Sequence, residues 1–238
     1  APDERWGLDA LAGRFVELSS GASTPMLTIA IGLVVQAQER AEPAVWIATG
    51  PSSFYPPDAA ESGVDLEALP VIRVRGVLEG ARAADIVLRS GAVTLAVLDL
   101  RDALRDDRGA KRDDSWSRDD SRSRKVIPGE AYSANARFMQ GRWNRNVREM
   151  PHTERSVPPA VQTRLSALAQ KHRSTLLCLT RKERGSSSLG SLVSLRAVGE
   201  VRKTAFDRFL WELEVLKDKH QAPGWSHSEA CRGPAGLY

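Results

Sequence analysis

Apolar and polar positions along the chain fall into two alternating periods. Short apolar runs occur at Arg14 to Leu18 (RFVEL), Ala44 to Ala48 (AVWIA), Val71 to Val74, Val93 to Leu98 (VTLAVL) and Thr175 to Thr180 (TLLCLT), and each reads as a strand. Between them, Met26 to Arg40 is apolar almost throughout, and Gly76 to Ser90 carries apolar residues at helical spacing. Pro159 to His172 gives a further helix. Punctuation agrees with this division. Ser19 to Thr24 is a loop of small residues, Thr24 is placed as an N-cap with Pro25 at the first helical position, and Gly91 follows the second helix as a C′ residue. Gly50 to Pro57 reads as a loop from its Gly and Pro content. Strands alternating with helices predict an α/β fold with right-handed crossovers and a mainly parallel sheet. Beyond Arg181 the period changes: Ser191 to Val201 and Phe209 to Leu216 alternate like antiparallel strands.

One segment departs from this pattern. Arg105 to Arg124 is mixed charge with Ser and almost nothing apolar, and it is expected to be disordered. Lys125 to Arg148 is basic with interleaved aromatics. The expected organisation is one core domain built from residues 1–104 and 159–238, interrupted by an insertion at 105–158. Apolar residues make up 42% of the chain, enough for a sizeable core. The net charge of +4 is too small to argue for nucleic acid by itself, so only its local clustering bears on partners. Two cysteines give no disulfide framework or zinc site; Cys178, inside an apolar run, is expected to be buried. No apolar run reaches the roughly 18 residues of a membrane span, and APDERWG has no signal-peptide core, so a cytoplasmic protein is expected. His152, His172, His220 and His227 form no ligand or triad spacing. No nucleophile elbow or catalytic carboxylate pair is visible.

The first strand, loop and helix have the layout of a phosphate-binding loop, but the chemistry is missing. Such a loop reads G-x-x-x-x-G-K-S/T: backbone N–H groups hold phosphates, Lys reaches the terminal phosphates and the hydroxyl holds magnesium. Laid against it, Ser20 to Leu27 places Pro25 at the second glycine, Met26 at the lysine and Leu27 at the hydroxyl. Proline has no N–H, methionine no charge, and leucine no metal-binding atom.

Several stretches in order resemble the ATP-core domain of the RecA recombinase family. GRFVELSS with its apolar helix is similar to that family's first strand and loop. SGAVTLAVLD resembles its Walker B segment, with Asp99 at the magnesium-side aspartate, and TLLCL its next core strand. SLGSLVSLRAVGEVRK is similar to its antiparallel hairpin, and ELEVLKDKHQAP to its late strand with a K-x-K pair, here Lys217 and Lys219. The departures are consistent among themselves. AVWIA is followed by TGPSSF, with no water-activating glutamate, and Arg181 or Lys182 stands where the family places a polar amide. The family's polymerisation arm and C-terminal domain are not matched. A degenerate core ending in CRGPAGLY resembles the ImuA family.

That resemblance implies a pseudo-ATPase without cofactor or metal, working at the nucleoid in DNA-damage-induced translesion synthesis. Its implied partners are RecA, ImuB and a replicative-type error-prone polymerase, with no membrane. Lys217 and Lys219, at alternate positions of one strand, are the implied RecA-facing pair, and Asp99 a relict of the metal site. Single-stranded DNA is expected on Arg137, Phe138, Arg142, Trp143, Arg145 and Arg148, with Arg on phosphates and aromatics stacking on bases. Arg181, Lys182 and Arg184 stand where the family's second DNA loop begins. Two other classes remain open from the residues: an ATP-dependent enzyme of the RecA superfamily with an unorthodox loop, and a cell-division inhibitor.

Overall fold

A computed structural model describes residues 6–21, 25–50, 54–101, 103–104, 157–205 and 208–232. The elements are α1 (Leu8–Leu11), β1 (Phe15–Ser20), α2 (Met26–Glu39), β2 (Ala44–Ala48), α3 (Pro56–Glu61), β3 (Val71–Arg73) and α4 (Val77–Arg89). They continue with β4 (Leu95–Asp99), α5 (Pro159–His172), β5 (Thr175–Arg181), β6 (Leu195–Lys203), β7 (Arg208–Asp218) and β8 (Ser226–Arg232). All eight strands join one sheet in the order β3-β2-β4-β5-β1-β6-β7-β8. The strands from β3 to β6 in that order are mutually parallel; β7 and β8 run antiparallel. The fold is thus α/β, with a mostly parallel sheet flanked by helices and an antiparallel extension at the C-terminal side.

Apolar runs become central strands because both of their faces are covered. Val16 and Leu18 of β1, Trp46 of β2, Val97 of β4 and Leu177 and Leu179 of β5 pack under α1, α2 and α3. Their neighbours Phe15, Ile47, Leu98, Leu176 and Cys178 face the opposite core, under α4 and α5. Cys178 is fully buried, as expected. Leftward connections use one face and rightward connections the other, which right-handed crossovers require.

Helix ends follow local chemistry. Pro25 sits in the helical region and its carbonyl accepts the first bond of α2 from Ile29 N–H at 2.9 Å. Thr24 lies outside the described residues. Gly91 adopts φ 68°, the left-handed turn that ends α4. Arg173 takes the same region after α5, and Ser174 N–H returns to Ala169 O.

Four expectations need correction. Ser19 and Ser20 belong to β1, because β5 pairs with it to its end and β6 as far as Ser19. Ser191 to Ser194 precede β6, which starts at Leu195, and β7 continues past Leu216 to Asp218. A loop over Gly50 to Pro57 gives way to α3 at Pro56, since proline is tolerated in a first helical turn. Strand β8 has no apolar alternation to betray it. The disordered reading of Arg105 to Arg124 and the basic stretch Lys125 to Arg148 both lie outside the described residues. No helix among the described residues is long and apolar enough to cross a membrane.

Candidate functional site at the carboxyl ends of the parallel strands

Ligands of open α/β sheets bind where the carboxyl ends of strands meet. Here that edge holds Ser20 of β1 opposite Arg181 of β5, and Asp99 of β4 opposite Leu179, two positions before Arg181. Asp99 is fully buried. Its two carboxylate oxygens accept from Arg101: Oδ1 from Nε at 2.9 Å and Oδ2 from Nη2 at 2.7 Å. Arg101 N–H also donates to Oδ1 at 3.2 Å. A two-pronged guanidinium matches a carboxylate geometrically and supplies the positive charge that a buried carboxylate needs. Arg101 is itself only 6% exposed. The Asp99 backbone carbonyl is held by Thr49, from Oγ1 at 2.6 Å and from N–H at 3.2 Å.

Beside it, the start of the loop after β1 carries a negative neighbour. The Glu183 carboxylate lies so close to Gly21 that a Cβ there would sit 2.9 Å from Oε1. A carboxylate in this place repels a phosphate group. Met26 is fully buried in the core and Leu27 half-buried against it. These positions serve packing of α2: Pro25 and Ile29 lie over Gly199 of β6, 3.0 and 3.4 Å from where its Cβ would be.

Glu17 organises the loop between β5 and β6. Sequence pattern shows it only as the polar member of FVELSS. Buried in mid-sheet, it receives Lys182 Nζ and Thr180 Oγ1, both at 3.0 Å from Oε1. Ser188 Oγ at 2.9 Å and Leu189 N–H at 2.8 Å donate to Oε2. Arg196 donates to the carbonyls of Ser186 and Glu183, and Gln162 Nε2 to Leu189 O at 3.1 Å. The loop is therefore clamped from inside.

This decides the fate of the basic residues near it. Lys182 points inward to Glu17 and to Ser187 O at 3.1 Å. Arg184 is paired with Glu214 at 2.6 Å on the exposed face. Arg181 is exposed at the strand end. Of the three, Lys182 and Arg184 are each engaged by a carboxylate, and Arg181 is exposed. Arg137, Phe138, Arg142, Trp143, Arg145 and Arg148 lie outside the described residues.

Lys217 and Lys219 lie at the other end of the sheet, since β7 finishes beside Leu195, the first residue of β6. They do not form a pair of equals. Lys217 Nζ donates to Gly190 O at 3.3 Å and Ser191 O at 3.2 Å. Burial lowers its pKa, and the charge of Lys219 adds to that. Lys219 lies just past the strand end and is exposed. Among the described residues no cluster of His, Cys, Asp and Glu has the composition to hold a metal. Two residues were missed by pattern reading. Arg101 was legible in principle, as an arginine two positions after a strand-end aspartate; Glu17 was not, because its partners are some 160 or more positions away in the chain. The sequence matches no protein-family model and no curated protein sequence.

Proposed function

We propose that this chain is a non-catalytic, RecA-like adaptor of DNA-damage-induced translesion mutagenesis. It binds the end of a RecA filament and contacts an ImuB-type partner and an error-prone replicative-type polymerase. The observation that carries the reading is the Asp99–Arg101 pair. A carboxylate at the end of a central strand is the natural ligand for a nucleotide-bound magnesium, and here a guanidinium already takes both of its oxygens. Pro25 without an N–H and Glu183 against Gly21 remove phosphate binding from the same edge. The motif order of the RecA core supplies the family context.

A RecA-like unit with one inert nucleotide face accepts a neighbour on one side only. Docking through the Lys219 end leaves the inert edge outward, so the next protomer finds no shared nucleotide and growth stops. The stretch from Arg137 to Arg148 then holds single-stranded DNA near the capped end. Electron microscopy of RecA filaments on long single strands tests this. Filaments shorten progressively as the protein is added at substoichiometric to equimolar ratios, and Lys219→Ala reduces the effect. Unchanged filament lengths at equimolar protein, or magnesium-dependent ATP binding by the chain itself, refute the reading.

A further inference from the structure

The two edges of the sheet are finished differently. Strand β3 is three residues long, too short to template another chain. Strand β8 spans seven residues and ends the sheet order, and among the described strands it pairs with β7 only. Sheets commonly blunt such an edge with proline, lysine or a bulge. SHSEACR has neither proline nor lysine, and its register with β7 runs without a shift from Ser226 to Arg232. Its side chains divide by face. His227 and Glu229 stand opposite Leu213 and Trp211 and share the α2 side of the sheet with them. The Trp211 ring holds the His227 ring at 5.3 Å between centroids. Glu229 is exposed and has no ion-pair partner among the described residues. Ser226, Ser228 and Ala230 take the other face, and all three are small, uncharged and exposed.

We infer that the outer edge of β8 is the two-fold interface of a homodimer, in which β8 pairs antiparallel with β8 of a second copy about an axis at Ser228. A two-fold axis perpendicular to the sheet keeps every side chain on its own face, so it passes beside one residue, which meets its own copy. An axis at Glu229 sets that carboxylate against itself, which like charges oppose. An axis at His227 leaves Glu229 opposite Trp225, and one at Ala230 leaves it opposite Cys231, neither of them a cation. Only the axis at Ser228 sets Glu229 against His227 of the second copy, and symmetry makes that contact twice. On the other face Ser228 meets Ser228 and Ser226 meets Ala230, with no charge to oppose the approach. The edge is complementary to itself in one register, which is what a contact between identical surfaces requires. Backbone bonds between the two strands give affinity, and the His227–Glu229 pairs give register. The inference does not rest on the filament reading, which uses the Lys219 end and the inert nucleotide edge.

Sedimentation velocity from about 5 to 500 µM chain tests it, with passage from monomer to dimer expected across that range. His227→Glu sets carboxylate against carboxylate, and Glu229→Lys sets a cation against the imidazole. Each weakens dimerisation about tenfold or more, because the fault occurs twice. The double variant His227→Glu with Glu229→Lys restores dimerisation, since the pair is exchanged rather than lost. It lacks the His227–Trp211 ring contact just as His227→Glu does, so a folding defect from that loss would not be rescued. Oxidation in a Cys231→Ser background reads the register, Cys178 being buried. Ser228→Cys gives a disulfide-linked dimer; Ala230→Cys, about 13 Å from its own copy along the paired strands, does not. A chain that stays monomeric to about 500 µM, or a dimer indifferent to both single substitutions, overturns the inference. So does a double variant that fails to recover, or cross-linking of Ala230→Cys as readily as of Ser228→Cys.

Discussion

Asp218 ties the entry of the central strand to the turn that launches β8. Its Oδ1 takes Arg14 Nη2 at 2.5 Å, His220 N–H at 2.9 Å and Gln221 N–H at 3.2 Å, and Oδ2 takes Trp225 Nε1 at 3.4 Å. Burial pushes its pKa up, but the His220 N–H, the Arg14 guanidinium and the Gln221 N–H outweigh that and leave it below the ordinary value. A lowered folded pKa means stability that is present above the ordinary carboxylate range and lost as pH falls through the folded value. Asp218→Asn leaves Arg14 buried without its counter-charge, a loss of about 3–5 kcal/mol at pH 7. Urea melts at pH 7 and in the acid range check this: the gap between wild type and variant narrows as pH falls, and a constant gap would contradict the ion-pair account. Nothing about Asp218 was legible in K-D-K, which reads as a solvated strand face; its partner at Arg14 is remote in sequence. Asp99, by contrast, was placed at its strand end by a purely local pattern. Lys217 was expected to point outward with Lys219, and the fold instead gives it two carbonyl oxygens.

At the scale of elements, two helix glycines have opposite meanings. In α4, a Cβ on Gly80 would lie 2.9 Å from Thr49 Cγ2 and 3.0 Å from Leu98 Cδ1, both beneath the Asp99 end of β4. In α2, Gly32 faces open space. Gly80→Ala therefore overpacks the core by about 1–3 kcal/mol, more than alanine's helix preference returns. Gly32→Ala is stabilising by about 0.5–1 kcal/mol. Thermal denaturation separates them, with the melting temperature falling for the first and rising by a few degrees for the second. Equal shifts in one direction would show that the glycine environments are not as described. Strands buried on both faces were legible because apolar runs leave them no alternative. Strand β8 was not: SHSEACR carries no apolar face, and among the described strands it pairs with β7 only. Ser19 and Ser20 were taken for loop since small polar residues mark loops, yet β5 pairs with both and β6 with Ser19. Of the strand–loop–helix stretch, the packing role of Met26 was legible in its apolar side chain. The Glu183 carboxylate beside Gly21 was not legible, because it comes from the loop after β5, remote in sequence.

For the molecule as a whole, the central strand is the one most dependent on distant sequence. Phe15 pairs with Leu176 and Val16 with Leu195. Helix α2 is made early, but the surface it covers includes Leu195, Ala197, Leu213 and Val215. A chain truncated at residue 190 lacks β6 to β8, and β1 becomes an edge. It is expected to show no cooperative unfolding transition by circular dichroism; a sigmoidal melt would disprove this. The same pairing sets a timetable. A ribosome adding about 5–20 residues each second needs roughly ten to forty seconds to travel from β1 to the end of β6. For the later part of that interval the Met26–Glu39 segment has β1, β2 and β4 beneath it but lacks the cover given by Leu195, Ala197, Leu213 and Val215. The newborn chain therefore keeps part of that apolar face uncovered until its last strands join the sheet, well after the helix itself can form.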